Sequence, residues 1–350
     1  MRICVVPHVH GVGGMVSFKR RLLTALEERG IEICQGLSDV PYRAVLVVGG
    51  TRQLGGLWRA RQAGIPVVQR LDGMNWLHRL PAKRLGAPVS LRHYLRAEYG
   101  NWILKVIRNH LATRIVYQSE FVRGWWERQA GKTAVPTTVI YNGVDLGQFS
   151  PHGPHERPAN RLRILLVEGS LMGGYKWGLR QAVQLAEGLQ ISLQSRKHIY
   201  PQGVEVMIVG RVEAEVQRYW QEHSRVPLIW RGQAAVEEIP AIDRSAHLFY
   251  SADIHPACPN AVIEALACGL PVLAFDTGAL PEIVCEGAGR VVPYGADPWQ
   301  LEEPDMPALI QGGMEIALHQ DRFREGARQR AEEVFDVVKM AERYLEVLVG

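Results

Sequence analysis

The sequence predicts an α/β protein of two Rossmann-like, doubly wound parallel-sheet domains. Three observations carry that reading. Apolar strand-like runs alternate with helix-period segments along the whole chain. A polar, proline-bearing stretch interrupts the alternation near its middle. The 350 residues are 47% hydrophobic and 22% charged, too many for one ordinary core but balanced enough to fold.

In the first series Ile3–Val6 reads as a buried strand and a helix follows from about Met15 to Arg29. Further strands are expected at Ala44–Val48, Val67–Val68, Arg114–Tyr117 and Thr138–Tyr141. Ser150–Asn160 carries three prolines and reads as a linker. A second series begins at Arg163–Val167 and continues through Val204–Val209, Leu228–Trp230, His247–Tyr250, Val272–Phe275 and Arg290–Val292. The expected division is therefore 1–152, a linker 153–161, a second domain 162–332 and a terminal helix 333–350. In that helix Phe335, Val338, Ala341, Tyr344, Leu345 and Leu348 recur every three or four residues, an apolar stripe that should pack on something.

The opening Met1–Val6 meets Pro7 and His8 too soon for the apolar core of a secretory leader. No apolar run reaches the roughly 18 residues of a spanning helix. The five cysteines form no CxxC pair, as expected of reduced, buried thiols. A cytoplasmic location is the expectation. The net charge of +4 hides an asymmetry: residues 1–150 hold 21 Lys and Arg against 9 Asp and Glu, and the remainder is net acidic. A basic first half suits an anionic partner such as a phospholipid surface, a lipid pyrophosphate or an acidic glycan; attraction between two oppositely charged domains explains it as well.

Two glycine-rich turns are candidates for phosphate. Gly13 and Gly14 lie between the first strand and the first helix, where the backbone can approach a ligand closely. The complete GxGxxG fingerprint and its following acid are absent, which argues against a nicotinamide enzyme. Gly169-Ser170 opens the second turn, which runs to Lys176 and Gly178 at the start of a helix. A lysine there adds full charge to a helix N-terminus, as a diphosphate requires. GxxxxGK[ST] is absent, so the turn is not a P-loop.

The most informative run is Pro256–Phe275. A loop leads into a short helix that bears Glu264 among Ala, Val, Ile and Leu. A carboxylate in such surroundings needs hydrogen-bond donors, either from a neighbouring arginine or from a ribose diol. Asn260, Ala261 and Val262 open the helix and offer backbone N–H groups to phosphate.

Val139–Phe149, preceded by Tyr117–Arg123, resembles the paired signature of family 4 (group 1) retaining glycosyltransferases of the GT-B fold. Glu264–Val272 with Asp276–Val284 resembles the donor-site helix of that family and the strand and loop after it. The resemblance implies two domains across a cleft, acceptor side first and donor side second, with the last helix returning to the first domain. It implies that Glu264 holds the donor ribose and Lys176 the diphosphate, with Gly13 and Gly14 facing donor phosphate and acceptor. Gly169 and Ser170 line the same loop. It further implies transfer with retention, without metal or cofactor, from a UDP- or GDP-sugar to a glycan, lipid-linked or small-molecule acceptor, and no nucleic acid partner. The sequence agrees in lacking a DxD motif.

Three positions depart from the family pattern. Pro256 stands where a first glutamate is usual, Ser170 where an arginine is usual, and Asp72 where a histidine is usual. Asp72 is a candidate acceptor base or donor-hydroxyl ligand, and equally a turn-forming Asp before Gly73. His255 is a candidate to supply the polar group that Pro256 does not, and His8 and His10 are loop candidates. The aromatic and basic stretch Trp102–Arg128 suits either a membrane surface or a core with a solvated basic face. Contact at the inner face of a membrane is therefore expected of the basic half. Two alternative functions stay open: a nucleotide-sugar-binding module without catalysis, and a sugar-nucleotide epimerase.

Overall fold

The computed structural model describes residues 1–350 except 9, 10, 12, 86, 87, 172–175, 197, 198 and 286, and without the side chains of Ser170 and Lys176. The chain divides into two compact units, Met1–Gly143 with Phe335–Gly350, and Val144–Val334.

In the first unit the strands are β1 (Arg2–Val6), β2 (Glu32–Cys34), β3 (Ala44–Val48), β4 (Val67–Leu71), β5 (Arg114–Tyr117) and β6 (Thr137–Val139). They form one parallel sheet in the order β2-β1-β3-β4-β5-β6. Its helices are α1 (Gly14–Glu27), α2 (Leu54–Gln62), α3 (Ala82–Leu85), α4 (Leu91–Val106) and α5 (Glu120–Ala130). The central strands β3 and β4 are buried throughout because both faces of the sheet are covered.

The second unit repeats the plan with β7 (Leu162–Ser170), β8 (Val204–Arg211), β9 (Leu228–Gly232), β10 (Leu248–Tyr250), β11 (Val272–Phe275) and β12 (Gly289–Val292). All pairings are parallel, in the order β12-β11-β10-β7-β8-β9. Its helices are α6 (Lys176–Ser192), α7 (Ala214–His223), α8 (Ile239–Arg244), α9 (Asn260–Ala267), α10 (Leu280–Ile283), α11 (Met306–Leu318) and α12 (Gln320–Val334). The last helix, α13 (Val337–Val349), belongs to the first unit.

The stretch read as a linker is bound into the second unit. Arg244 donates to the carbonyls of Ser150 (3.0 Å) and Pro154 (3.3 Å), and Arg163 donates to that of Glu156 (3.0 Å). The two compact units divide at Gly143/Val144. Proline and polar composition marks an irregular backbone; it does not reveal that arginines tie that backbone down. Among the strands, β2 is the one the sequence reading omitted. It is a three-residue edge strand whose Ile33 is half-buried, too little pattern to distinguish from a loop.

On α13 the expected stripe is buried at Ala341, Tyr344 and Leu348 and departs at one position, where Met340 turns inward in place of Val338. Met340, Ala341, Tyr344 and Leu348 are buried with Phe18, Leu22 and Leu26 of α1, whereas Val338 is 45% exposed. Tyr344 meets the Phe18 ring at 5.5 Å. Gly143 makes room for this helix, since a Cβ there would lie 2.6 Å from the Val337 Cα. Four of the five cysteines are buried and Cys285 is exposed. Among the described residues no helix is long and apolar enough to cross a membrane. Because Leu348 is fully buried, Leu348→Ala is expected to destabilise the first unit by about 2–5 kcal/mol; urea denaturation of the two proteins measures the difference.

Candidate functional site

In the second sheet the chain steps outward from β7 to β8 and β9, then returns to start β10 on the other side of β7. That reversal leaves a crevice at the carboxyl ends of β7 and β10, the usual ligand position in such sheets. Most candidates in this half of the chain converge there. Gly169 and Ser170 end β7, Lys176 opens α6, His255 follows β10, and Asn260, Ala261 and Val262 form the first turn of α9. The side chains of Lys176 and Ser170, and residues 172–175 of the loop between them, lie outside the described residues.

Helix α9 has Pro259 at its N-cap and no side-chain cap. Its first closing bond is Ile263 N–H to the Pro259 carbonyl at 3.3 Å, and the N–H groups of a helix's first turn point out of its N-terminal end. The dipole adds partial positive charge at the same end. Its other end is held by Arg328, whose Nη1 donates to the carbonyls of Ala267 (2.8 Å), Phe149 (2.9 Å) and Leu146 (3.3 Å). Glu264 is half-buried on this helix. Beneath it lies Asp243, fully buried; burial first, and the Glu264 charge second, hold the Asp243 carboxyl well above the usual range. The same burial favours the uncharged form of the Asp243 carboxyl.

His255 is 7% exposed, its ring stacked on Trp299 at 3.6 Å and 20°. Burial lowers it to about 4, so it is neutral at pH 7. Its backbone sits in the left-handed region at φ 58°. The facing turn needs Gly278, where a Cβ would lie 2.5 Å from the Pro256 nitrogen. Pro256 is buried in that contact.

Two acids the sequence reading missed lie at the same edge. Glu168 ends the apolar run of β7, and Asp253 follows the neighbouring β10. Burial, and for Glu168 the neighbouring Asp253 charge, raises Glu168 well above the carboxylate range and Asp253 to about 6. An acid closing the run Ile164–Val167 was the available signal; Asp253 had none, because its burial comes from tertiary packing.

In the first unit Gly13 caps α1 at φ 144°, a conformation that excludes a side chain, and Gly14 begins the helix. Both stand at the end of β1, where that sheet reverses between β2 and β3. His8 contacts Gln35 through Nδ1; His10 lies outside the described residues. Asp72 follows β4 and has partners of its own. Its Oδ1 accepts from Arg70 Nη1 at 2.7 Å and from Gln118, and its carbonyl accepts from Trp126 Nε1 at 2.8 Å. Arg70 is 1% exposed, lies 3.6 Å over the Phe18 ring and donates to Asn142 Oδ1 at 2.8 Å. Asp72 therefore neutralises a buried guanidinium, a task that opposes proton abstraction. Trp125, Trp126 and Arg108 are also buried, so most of the aromatic character of Trp102–Arg128 is core.

Among the described residues no group of three or more His, Cys, Asp or Glu is placed to hold a metal ion.

The two parallel sheets and their edge sites define a two-domain α/β protein of the GT-B type. Sucrose-phosphate synthase from Thermosynechococcus elongatus superposes with a TM-score of 0.70, 16% identity and coverage of 99% of this chain and 98% of that one. Residues 180–303 match the family model of the glycosyl transferases group 1. Alpha-maltose-1-phosphate synthase of Mycolicibacterium smegmatis is 28% identical over 224 residues, 60% of this chain and 55% of that protein. The chain thus spans about half the length of that relative. The lipopolysaccharide core biosynthesis mannosyltransferase LpcC of Rhizobium leguminosarum bv. viciae is 23% identical over 291 residues, 78% of this chain and 76% of its own.

Two outcomes are expected. A carboxyl raised on folding contributes stability that is complete below its unfolded value of 3.8 and lost as pH rises through about 6. Asp253→Asn should therefore gain stability relative to wild type as pH rises through about 6, as melting temperatures across a pH series would show. Asp72→Asn, by leaving Arg70 without its counter-charge, should lower the melting temperature of the protein at neutral pH.

Proposed function

We propose that the protein is a glycosyltransferase that moves a hexose-type sugar from a UDP- or GDP-sugar to a glycan, lipid-linked or small-molecule acceptor. Transfer proceeds with retention and without metal. The observation that carries this reading is the placement of Glu264 on α9, whose N-terminus opens at the switch point of the second sheet. A nucleoside diphosphate satisfies both groups: its ribose diol donates to the Glu264 carboxylate, and its phosphates accept from the N–H groups of 260–262.

Lys176 and the Gly169-Ser170 turn complete the charge neutralisation of the leaving diphosphate. Gly13 and Gly14 present backbone to phosphate and acceptor without a Cβ in the way. His255, neutral and fixed by Trp299, acts as a hydrogen-bonding group beside the donor sugar. Asp72 acts through Arg70, as its charge partner. The setting is cytoplasmic, with the basic first unit meeting an anionic surface at the inner face of a membrane.

A second reading, a nucleotide-sugar-binding module without turnover, is favoured by one fact: Asp72 and His255 are both engaged in structural contacts.

Thermal-shift measurements with UDP, GDP, ADP and their sugar conjugates test the donor site. Stabilisation by one nucleotide series, lost in Glu264→Ala, is the expected result; no shift with any of them sinks the assignment. In turnover assays Lys176→Ala should lower kcat by about 10²–10³-fold. Nucleotide release that needs an acceptor supports transfer, binding without release supports the module, and donor conversion without acceptor supports an epimerase.

A further inference from the structure

Helix α4 leaves its apolar residues in solvent along one line. Leu91, Tyr94, Leu95, Tyr99 and Trp102 are 72%, 40%, 58%, 46% and 52% exposed. Leu91, Leu95, Tyr99 and Trp102 follow one another at helical spacing, a stripe roughly 16 Å long. Every residue from Leu91 to Arg96 is exposed. The other half of the helix is rooted: Asn101 donates to the Asn75 carbonyl at 2.9 Å, and Ile103 is buried. A firmly held helix that spreads Leu, Tyr and Trp into water marks an interaction surface.

Charge selects the occupant. Arg92 and Arg96 flank the stripe, exposed Lys83 precedes it, and Arg52 lies 5.7 Å over the Tyr99 ring. Between Asp72 and Glu120 the single acid is Glu98. Its carboxylate is bound by Arg79 at 2.7 and 2.9 Å and by His78 at 2.9 Å, contacts that hold it down to about 2. The face is therefore cationic, and a second copy of the chain would set Arg92 and Arg96 against their own kind. An anionic bilayer satisfies both features of the face: leucines enter the acyl boundary, Tyr and Trp lie at headgroup level, and arginines reach lipid phosphates.

The geometry points to α4 as an interfacial helix that docks the first unit on an anionic lipid surface. This deepens the membrane contact proposed above and names its site, Leu91–Trp102; of the stretch Trp102–Arg128 singled out in the sequence, it retains Trp102.

The test is flotation of the full chain with phosphatidylcholine vesicles, with and without phosphatidylglycerol. Binding only to the mixed vesicles, weakened by salt, is expected. Leu95→Ser with Trp102→Ser should reduce partitioning by roughly tenfold or more, since leucine-sized groups no longer leave water. Arg92→Glu with Arg96→Glu should remove the preference for anionic lipid. Melting temperatures close to wild type are expected for both variants, because the changed residues are exposed. No binding, equal binding to both vesicle types, or variants that float as wild type would overturn the inference. So would an oligomer that Leu95→Ser with Trp102→Ser dissolves, which would make the stripe a self-interface. The assay contains no nucleotide sugar, so its failure is distinct from a failure of the proposed transfer reaction.

Discussion

Parallel strand pairing is the constraint on which the rest of this structure depends. A parallel strand must be re-entered from its far end, so each chain segment leaves a sheet at the carboxyl edge and crosses back over a face. Helix N-termini, with their partial positive charge, therefore gather at that edge. In the second unit α6 and α9 both begin there, beside the reversal between β7 and β10. In the first, α1 begins beside the reversal between β2 and β3. The topology thus sets helix N-termini beside each reversal before any side chain is considered.

Side chains then decide where charge is kept and where it is removed. Arg70 keeps its charge in the core because Asp72, Asn142 and the face of Phe18 all serve it. Asp243 and Glu168 take the other course: burial raises both carboxyls and so favours their uncharged forms. Glu264 is half-buried near Asp243, and its charge adds to the upward shift there. The motif around Asn142 and Gly143 is explained by the same packing, since Asn142 serves Arg70 and Gly143 admits α13.

The backbone plan was legible in the sequence because alternation of strand and helix periods is local. Eleven of the strands coincide with apolar runs; β2 escaped because three edge residues carry little pattern. The candidate site was legible where it depends on backbone turns and helix starts, as at Gly13, Gly169 and Asn260. It was not legible where it depends on which groups face one another. The bond from Gln118 to Asp72, the stacking of His255 on Trp299 and the proximity of Glu168 to Asp253 join residues far apart in the chain.

What the sequence alone determined is the α/β class, the parallel sheets, the glycine turns and the helix that bears Glu264, because periodicity, backbone freedom and capping are properties of neighbouring residues. Tertiary structure alone decided the unit boundary at Gly143, the burial of Trp125 and Trp126, the exposure of the α4 stripe, and the upward shift of the Asp243 and Asp253 carboxyls. Those features follow from solvent exclusion and long-range contacts, which exist only once the chain has packed.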